Sequence, residues 1–378
     1  MGKYCQRDTS CLCFDMKVAL VYDRVNKMGG AERVLLALHE LFPDAPLYTA
    51  VYDPKGASWA SVFHVIPSFI NHIPWARNHH EYFPWLTPFA FQTFDFSGFD
   101  VVISVTSAEA KNIRTKPEAV HICYCLTPTR YLWSGFSLYA NQHSLMAFFF
   151  RLWAPILKRW DRQAATRPDR YIAISKRVAL RIKRYYGRDA NVVIYPPVET
   201  TRFFAPKNKK QGEYYLFVSR LVGYKRPDIV VKACEKLHAP LIVIGTGSEY
   251  KRLKKMASSM TTFITKNLTD KELARYYQNC RAFLFAGDED FGIVAAEAQS
   301  AGKAVIAYKE SGMAEIVAPG KTGILYDEQS ARGLARAIQK FETMHITPAA
   351  CRRQAEKFSK GRFKEEMTAY INRSVNQV

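Results

Sequence analysis

Residues 287–302 read GDEDFGIVAAEAQSAG, and their acids set the first chemical question. Asp288, Glu289 and Asp290 stand together before a Phe-Gly pair, and Glu297 follows inside an apolar run. The apolar segments RAFLFA and KAVIAY flank the stretch, so the acids crowd a strand-to-helix junction. In such a loop Glu289 can accept hydrogen bonds from the hydroxyls of a sugar. Glu297, about one turn into the helix, can take the two hydroxyls of a ribose. Phe291-Gly292 would leave backbone N–H groups open at the helix N-terminus, a cradle for phosphate. The helix macrodipole alone accounts for Asp288 to Asp290. It does not account for Glu297.

SRLVGYKRP, residues 219–227, carries matching cations. Arg220 leaves the carboxyl end of a strand and Lys225 precedes the next helix. Ligands of open α/β sheets bind outside the carboxyl ends of the strands. An Arg fork beside a Lys point charge suits a diphosphate there. Gly29 and Gly30 close another strand-to-helix loop, RVNKMGG, and read either as an anion site or as a tight turn. The loop is not G-x-G-x-x-G, and no acid at the proper distance supports a dinucleotide.

The elements that must position these residues alternate. KVALVYD, FDVVISVTSA, HICYCLT and RYIAIS read as strands, and AERVLLALHELF has helical spacing. After the Pro-rich passage IYPPVETTRFFAP the pattern restarts with YYLFVSR, PLIVIGTG, TTFITKN, RAFLFAG and KAVIAY, each followed by a helical segment. A capping box, Thr269 to Glu272, announces one of those helices. The expected fold class is α/β: two Rossmann-like domains with parallel sheets facing a central cleft. The divisions are residues 1–15 as an extension outside the fold, 16–197 as the N-terminal domain and 198–348 as the C-terminal domain. Residues 349–378 form a last helix packing back on the first domain.

Composition narrows the partners. The chain has 378 residues, 54 Lys plus Arg against 34 acids, and a formal net charge of +20, which favours anionic partners. Its eight cysteines are too sparse for a disulfide framework, and Cys11/Cys13 and Cys123/Cys125 lack the spacing of a zinc site. They read as reduced, buried thiols, and the His79-His80 pair reads as solvated. MGKYCQRDTSCLCFD has no apolar core of a secretory signal, and no run is long enough to span a bilayer. Residues 66–94 and 145–160 are dense in aromatics beside Lys and Arg. They suit either buried packing or a surface that meets anionic lipid. No nucleic-acid motif accompanies the charge.

The E-x7-E spacing from Glu289 to Glu297, followed by AQSAGKAVIAY, resembles the signature of retaining GT-B glycosyltransferases of family 4. The similarity extends over nearly all of residues 16–378. It takes in GGAE at 29–32, HICYC-x-TP-x-RYLW at 121–133, SRLVGYKRPD, and SGMAEIVAPGKTGILYD. The first-domain blocks look most like bacterial O-antigen and exopolysaccharide mannosyltransferases. The resemblance implies that Arg220 and Lys225 bind a donor diphosphate, with Gly29 and Gly30 facing it from the other domain. It implies that Glu289 contacts the donor sugar and Glu297 the ribose. Asp290, Phe291, Gly292, Ile293 and Val294 would support sugar and phosphate, and Thr265 with Lys266 would seat the base. The implied donor is GDP-mannose, without cofactor or metal. The implied acceptor is a glycan or a polyprenyl-diphosphate-linked oligosaccharide of surface polysaccharide or lipopolysaccharide synthesis. The implied location is the cytoplasm, peripheral on the inner membrane.

One position departs from that pattern. The resembling mannosyltransferases have C-H-T-P, where this chain has Cys125-Leu126-Thr127-Pro128. Leucine neither donates, accepts nor carries a proton. The change therefore weakens activity, marks a donor lacking a polar group at that edge, or shows the histidine to be dispensable. It also opens an alternative function, a catalytically weakened or inactive nucleotide-sugar or glycan-binding homologue. Intact Arg220, Lys225, Glu289 and Glu297 weigh against that alternative.

Overall fold

The computed structural model describes residues 16–74, 86–140, 145–203 and 212–377. The expected extension at 1–15, His79-His80, Cys5, Cys11 and Cys13 lie outside the described residues. The chain divides into two compact units, one ending at Ile194 and regaining Lys364–Val378, the other Tyr195–Phe363.

The first unit contains β1 (Val18–Tyr22), α1 (Gly30–His39), β2 (Leu47–Thr49), β3 (Val65–Pro67), α2 (Thr87–Gln92) and β4 (Val101–Thr106). It continues through β5 (Val120–Cys125), α3 (Phe136–Ala140), α4 (Leu145–Ala164), β6 (Arg170–Ala173), α5 (Lys176–Tyr186) and β7 (Val192–Val193). Its sheet is parallel, ordered β3-β2-β1-β4-β5-β6-β7. Every residue of β1, β4 and β5 is buried, as expected of central parallel strands covered on both faces. The four strands expected here are present. The structure adds β2, β3 and β7, of two or three residues each, too short to show a period. Pro67 is tolerated because β3 lies at the sheet edge.

The second unit runs β8 (Tyr214–Val218), α6 (Pro227–Lys236), β9 (Leu241–Ile244), α7 (Tyr250–Met256), β10 (Thr261–Ile264) and α8 (Asp270–Asn279). It continues with β11 (Cys280–Phe285), α9 (Ile293–Ser300), β12 (Ala304–Tyr308), β13 (Gly323–Tyr326), α10 (Ala331–Glu342) and α11 (Pro348–Glu356). Its sheet is also parallel, ordered β10-β9-β8-β11-β12-β13. The capping box at the start of α8 is complete: Thr269 Oγ1 accepts from the Glu272 N–H, and Glu272 reaches back to the Thr269 N–H at 2.8 Å.

The last segment is two helices, where the sequence suggests one. α11 ends at Glu356 and α12 spans Lys360–Val375, its residues from Lys364 clustering with the first unit. The break has a backbone cause. Val198 donates to the Phe358 carbonyl at 2.9 Å and accepts from the Lys360 N–H at 3.1 Å, so the chain between the helices is drawn into a bridge.

Five cysteines, Cys123, Cys125, Cys234, Cys280 and Cys351, are buried thiols outside any disulfide, and burial pushes the thiols of the last three up to about 12. They behave as small apolar side chains. His121 lies in β5, wholly buried, with Nε2 2.8 Å from the Ser104 hydroxyl. Burial, with Arg167 and Arg188 nearby, pushes its imidazole down to about 3. An unfolded histidine titrates near about 6.5. Between those values the unfolded chain takes up a proton that the folded imidazole refuses, so stability is lost as pH falls through that window. His121→Asn therefore flattens the fall of the urea midpoint from pH 7 to pH 5 on the order expected for one proton. An unchanged slope excludes this histidine as the acid-sensitive group.

Candidate functional site

In the second unit the chain order reverses between β8 and β11. From β8 the next strands, β9 and β10, are laid to one side, and from β11 the strands β12 and β13 are laid to the other. That is a topological switch point, where the loops leaving two adjacent parallel strands diverge and open a crevice. The loop after β8 carries Arg220 and Lys225, and the loop after β11 carries Asp288 to Gly292. The two candidate stretches thus meet at the place where the sheet is built to bind.

Lys225 closes a 3-10 turn, Gly223–Lys225, before α6. Its ammonium pairs with Glu289 and lies over the rings of Tyr224, at 4.8 Å, and Phe285, at 5.9 Å. The pair is mostly buried, with side chains 9% and 17% exposed. Arg220 stays exposed and donates to the Tyr224 hydroxyl at 2.9 Å. One cation is therefore held beside the Glu289 carboxylate, and another sits at the rim.

Helix α9 opens with Gly292, a left-handed residue at φ 99° that gives no side-chain cap. A Cβ there would run into Met313. Ile293 and Val294, in its first turn, have no intrahelical acceptor for their N–H groups, a geometry suited to an anion. The loop before it is braced from the SGMAE segment. The Glu289 N–H donates to Ser311 Oγ at 3.3 Å, and the Gly312 N–H donates to the Glu289 carbonyl at 2.7 Å. Gly312 passes so close to the Asp290 backbone that no side chain fits. Phe291 is 2% exposed, stacked on Tyr195 at 5.5 Å with Phe358 at 5.4 Å. Its ring anchors the turn, and only its backbone is placed to meet a ligand. Asp290 is also buried.

Glu297 is one turn into α9 but only 1% exposed, and its Oε2 accepts from the Tyr277 hydroxyl at 3.0 Å. Tyr277 is itself fully buried, against Phe203 and Phe283. Tyr277 is a partner that the sequence did not announce, because it lies 20 residues away on another helix. Thr265 and Lys266 follow β10, the outer strand, and are exposed. Lys266 pairs with the capping Glu272 at 3.1 Å. The structure therefore brings Lys225, Glu289 and the α9 N-terminus together, buries Glu297 behind them, and leaves Thr265 and Lys266 at the margin of the sheet.

The first unit has its own switch point, between β1 and β4. Gly29 and Gly30 are exposed at the start of α1, with Gly29 as an uncapped N-cap. Glu32 is folded inward, accepting from the Tyr22 hydroxyl at 2.7 Å, and its carboxylate lies close under Gly29. Burial pushes the Glu32 carboxyl up, with the Tyr22 hydrogen bond opposing it. Asp23 ties the ends of β1 and β4, accepting from Thr106 at 2.8 Å, from Ser107 N at 2.7 Å and from Ala110 N at 2.9 Å. Arg24 pairs with Glu109 at 3.1 Å, and Tyr131 also donates to Glu109. Asp23, Arg24 and Glu109 do not stand out in sequence. Applying the switch-point rule to the first sheet would have found them, once the strand order was known. Leu126 follows β5 and is half-buried, its N–H bonded to the Thr106 carbonyl at 2.8 Å. Among the described residues no cluster of His, Cys, Asp and Glu suited to a metal ion occurs.

Two family models match consecutive parts of the chain: Glycosyltransferase Family 4 over residues 28–202, and Glycosyl transferases group 1 over 198–358. A D-inositol 3-phosphate glycosyltransferase of Rhodococcus jostii is 28% identical over 232 residues, covering 53% of this chain and 51% of that protein. The chain thus matches about half the length of such curated relatives. Among solved structures, Anabaena HepE in complex with UDP and glucose aligns with a TM-score of 0.70 at 16% identity, covering 94% of this chain and 99% of that one. WaaG, a glycosyltransferase involved in lipopolysaccharide biosynthesis, aligns at 0.64 with 17% identity, covering 94% and 99%. The fold is therefore GT-B: two units, each built on a parallel sheet.

Proposed function

We propose that this chain, which belongs to the group 1, family 4 glycosyltransferases by two models that together match residues 28–358, transfers a hexose from a nucleotide sugar to a lipid-linked or oligosaccharide acceptor. The observation that carries the reading is the Lys225–Glu289 pair beside the open N-terminus of α9, at the switch point of the second sheet. Arg220, Lys225 and the first-turn N–H groups of α9 neutralise a donor diphosphate, and Glu289 holds the sugar. Glu297, steadied by Tyr277, serves the ribose, and Thr265 with Lys266 the base. The donor is GDP-mannose by the likeness of the first-domain blocks, and HepE, solved with UDP and glucose, makes UDP-glucose the donor to test against it.

Transfer with retention runs as follows. The acceptor hydroxyl attacks the anomeric carbon on the face from which the diphosphate leaves. The carbon–oxygen bond to the diphosphate breaks, the new glycosidic bond forms, and a departing phosphate oxygen takes the acceptor proton. Cations and oriented N–H groups stabilise the charge that grows on the leaving group. No step calls on a metal. Product anomers read by NMR, with and without EDTA, check both statements.

Leu126 supports one second reading, a catalytically weakened homologue. One experiment addresses both. Calorimetry across GDP-mannose, UDP-glucose and a dTDP-hexose identifies the donor, and the release of nucleotide from that donor is then followed. The expected result is micromolar to millimolar binding of one donor and slow release that Glu289→Ala abolishes. Leu126→His raises the rate if the leucine weakens the site. Binding with no release in either the wild type or L126H leaves the binding homologue as the function.

A further inference from the structure

We propose that helix α4 docks the first unit on a lipid bilayer bearing anionic headgroups. A surface helix ordinarily turns its large apolar residues inward, and this one does the reverse. The side it buries is mostly small or polar, Ala147, Ala154, Asp161 and Ala164, with Leu157 as its one fully buried large apolar residue among those described. The side it exposes is large and apolar. Phe148, Leu152 and Ile156 recur every fourth residue, 53%, 64% and 43% exposed, and Phe149 and Trp153 form the next row, 50% and 47% exposed. Phe89, on α2 and 50% exposed, extends the patch through its edge-on contact with Trp160 at 5.8 Å. A contiguous patch of this kind marks an interaction site on a soluble surface.

Charge selects the occupant. The helix LMAFFFRLWAPILKRWDRQA carries Arg151, Lys158, Arg159 and Arg162, and its single acid, Asp161, is buried in an ion pair with Lys111. Arg151 and Arg159 are exposed beside the apolar rows. Lys158 and Arg162 lie over the Trp133 ring, at 5.5 Å and 4.9 Å. Apolar rows edged by cations on a helix that carries no exposed acid match an interface of hydrocarbon and anionic headgroups. A second copy of the chain fits worse, because pairing would bring these cations, and a formal charge of +20 on each copy, together. No helix among the described residues is long and apolar enough to cross a membrane, so α4 lies in the plane of the interface. The proposal rests on α4 alone. It deepens the lipid-linked acceptor of the proposed function, but its test uses neither donor nor acceptor, so each can fail separately.

The test is flotation of the full chain with phosphatidylcholine vesicles, with and without phosphatidylglycerol. The expected result is binding only when phosphatidylglycerol is present, weakened about tenfold or more by L152S/W153S and by R151E/R159E. All four positions are exposed, and circular dichroism verifies the fold of each variant. Absence of wild-type binding overturns the proposal, as does wild-type binding retained by L152S/W153S. If that variant fails to fold, unchanged flotation of R151E/R159E overturns it instead. A dimer in gel filtration that L152S/W153S dissociates, without flotation, assigns the face to a second copy and also overturns it.

Discussion

Lys225→Ala lowers kcat/KM for sugar transfer by about 10²–10³-fold, the loss typical of removing one charge-stabilising donor from a preorganised site. The size follows from where the ammonium sits. Its side chain is 9% exposed, paired with Glu289 and flanked by the Tyr224 and Phe285 rings, so it acts where water screens little. Arginine does not replace it well, because the larger planar fork must fit between those rings and the Glu289 carboxylate. Arg220→Ala, at the exposed rim, costs less and acts mainly on KM. If Lys225 and Glu289 act as a unit, K225A/E289A is no slower than the worse single variant, as expected for strongly coupled residues. Transfer by K225A within a few-fold of wild type, on protein with unchanged thermal stability, removes the diphosphate role from this lysine.

The residues at this site were legible because each half of the motif sits on a local signal. A Phe-Gly pair after an apolar run announces a strand-to-helix turn, and the structure has the left-handed Gly292 at that point. Arg220 and Lys225 were legible for the same reason, at the end of β8. What joins them was not legible. That β8 and β11 are neighbours is a fact of strand order, and sequence periodicity does not carry strand order. Tyr277 beside Glu297 and Gly312 beside Asp290 were hidden for the same reason. In the first unit the long strands β1, β4 and β5 declared themselves through continuous apolar runs. β2, β3 and β7 did not, because two or three residues cannot show a period; β2 and β7 are specified by pairing with the longer β1 and β6, and β3 by pairing with β2 at the sheet edge. The aromatic run at 145–160 left burial and lipid contact equally open, since composition alone does not say which side of a helix faces in. Lys111 decides that question by capturing Asp161, a contact 50 residues apart in sequence.

That contact carries the largest expected effect on stability. Asp161→Ala destabilises the first unit by about 3–5 kcal/mol, the range for breaking a buried ion pair by removing one partner. Lys111 is 1% exposed, and its Nζ lies 2.6 Å from Asp161 Oδ1. The same carboxylate accepts from the Thr129 hydroxyl at 2.7 Å and from Trp133 Nε1 at 2.6 Å, so alanine removes one acceptor shared by three donors; Lys111 and Thr129 keep the Ala108 carbonyl, and the half-buried Trp133 N–H loses Asp161. Burial by itself disfavours the charged ammonium, but Asp161 and its hydrogen bond outweigh it, and the Lys111 pKa is raised above its ordinary value. A raised pKa means that the stabilisation is fully present below the unfolded value, about 10.4, and is lost only as pH climbs through the folded value. In D161A burial loses its main counterweight, with only the weaker fields of Tyr171, Cys123 and Glu109 left against it, so the folded pKa falls below the unfolded one and the variant recovers stability as pH rises toward about 10. The urea midpoints of wild type and D161A are therefore farthest apart near neutral pH and converge in alkali. A gap that stays constant to pH 10 assigns the loss to the hydrogen bonds of Thr129 and Trp133, with the stranded charge contributing nothing. Lys111→Met/Asp161→Asn, which removes both charges at similar volume and keeps an amide oxygen for Thr129 or Trp133, recovers part of the stability. It also keeps α4 in place, so vesicle binding by the double variant separates the position of the helix from the charge that holds it.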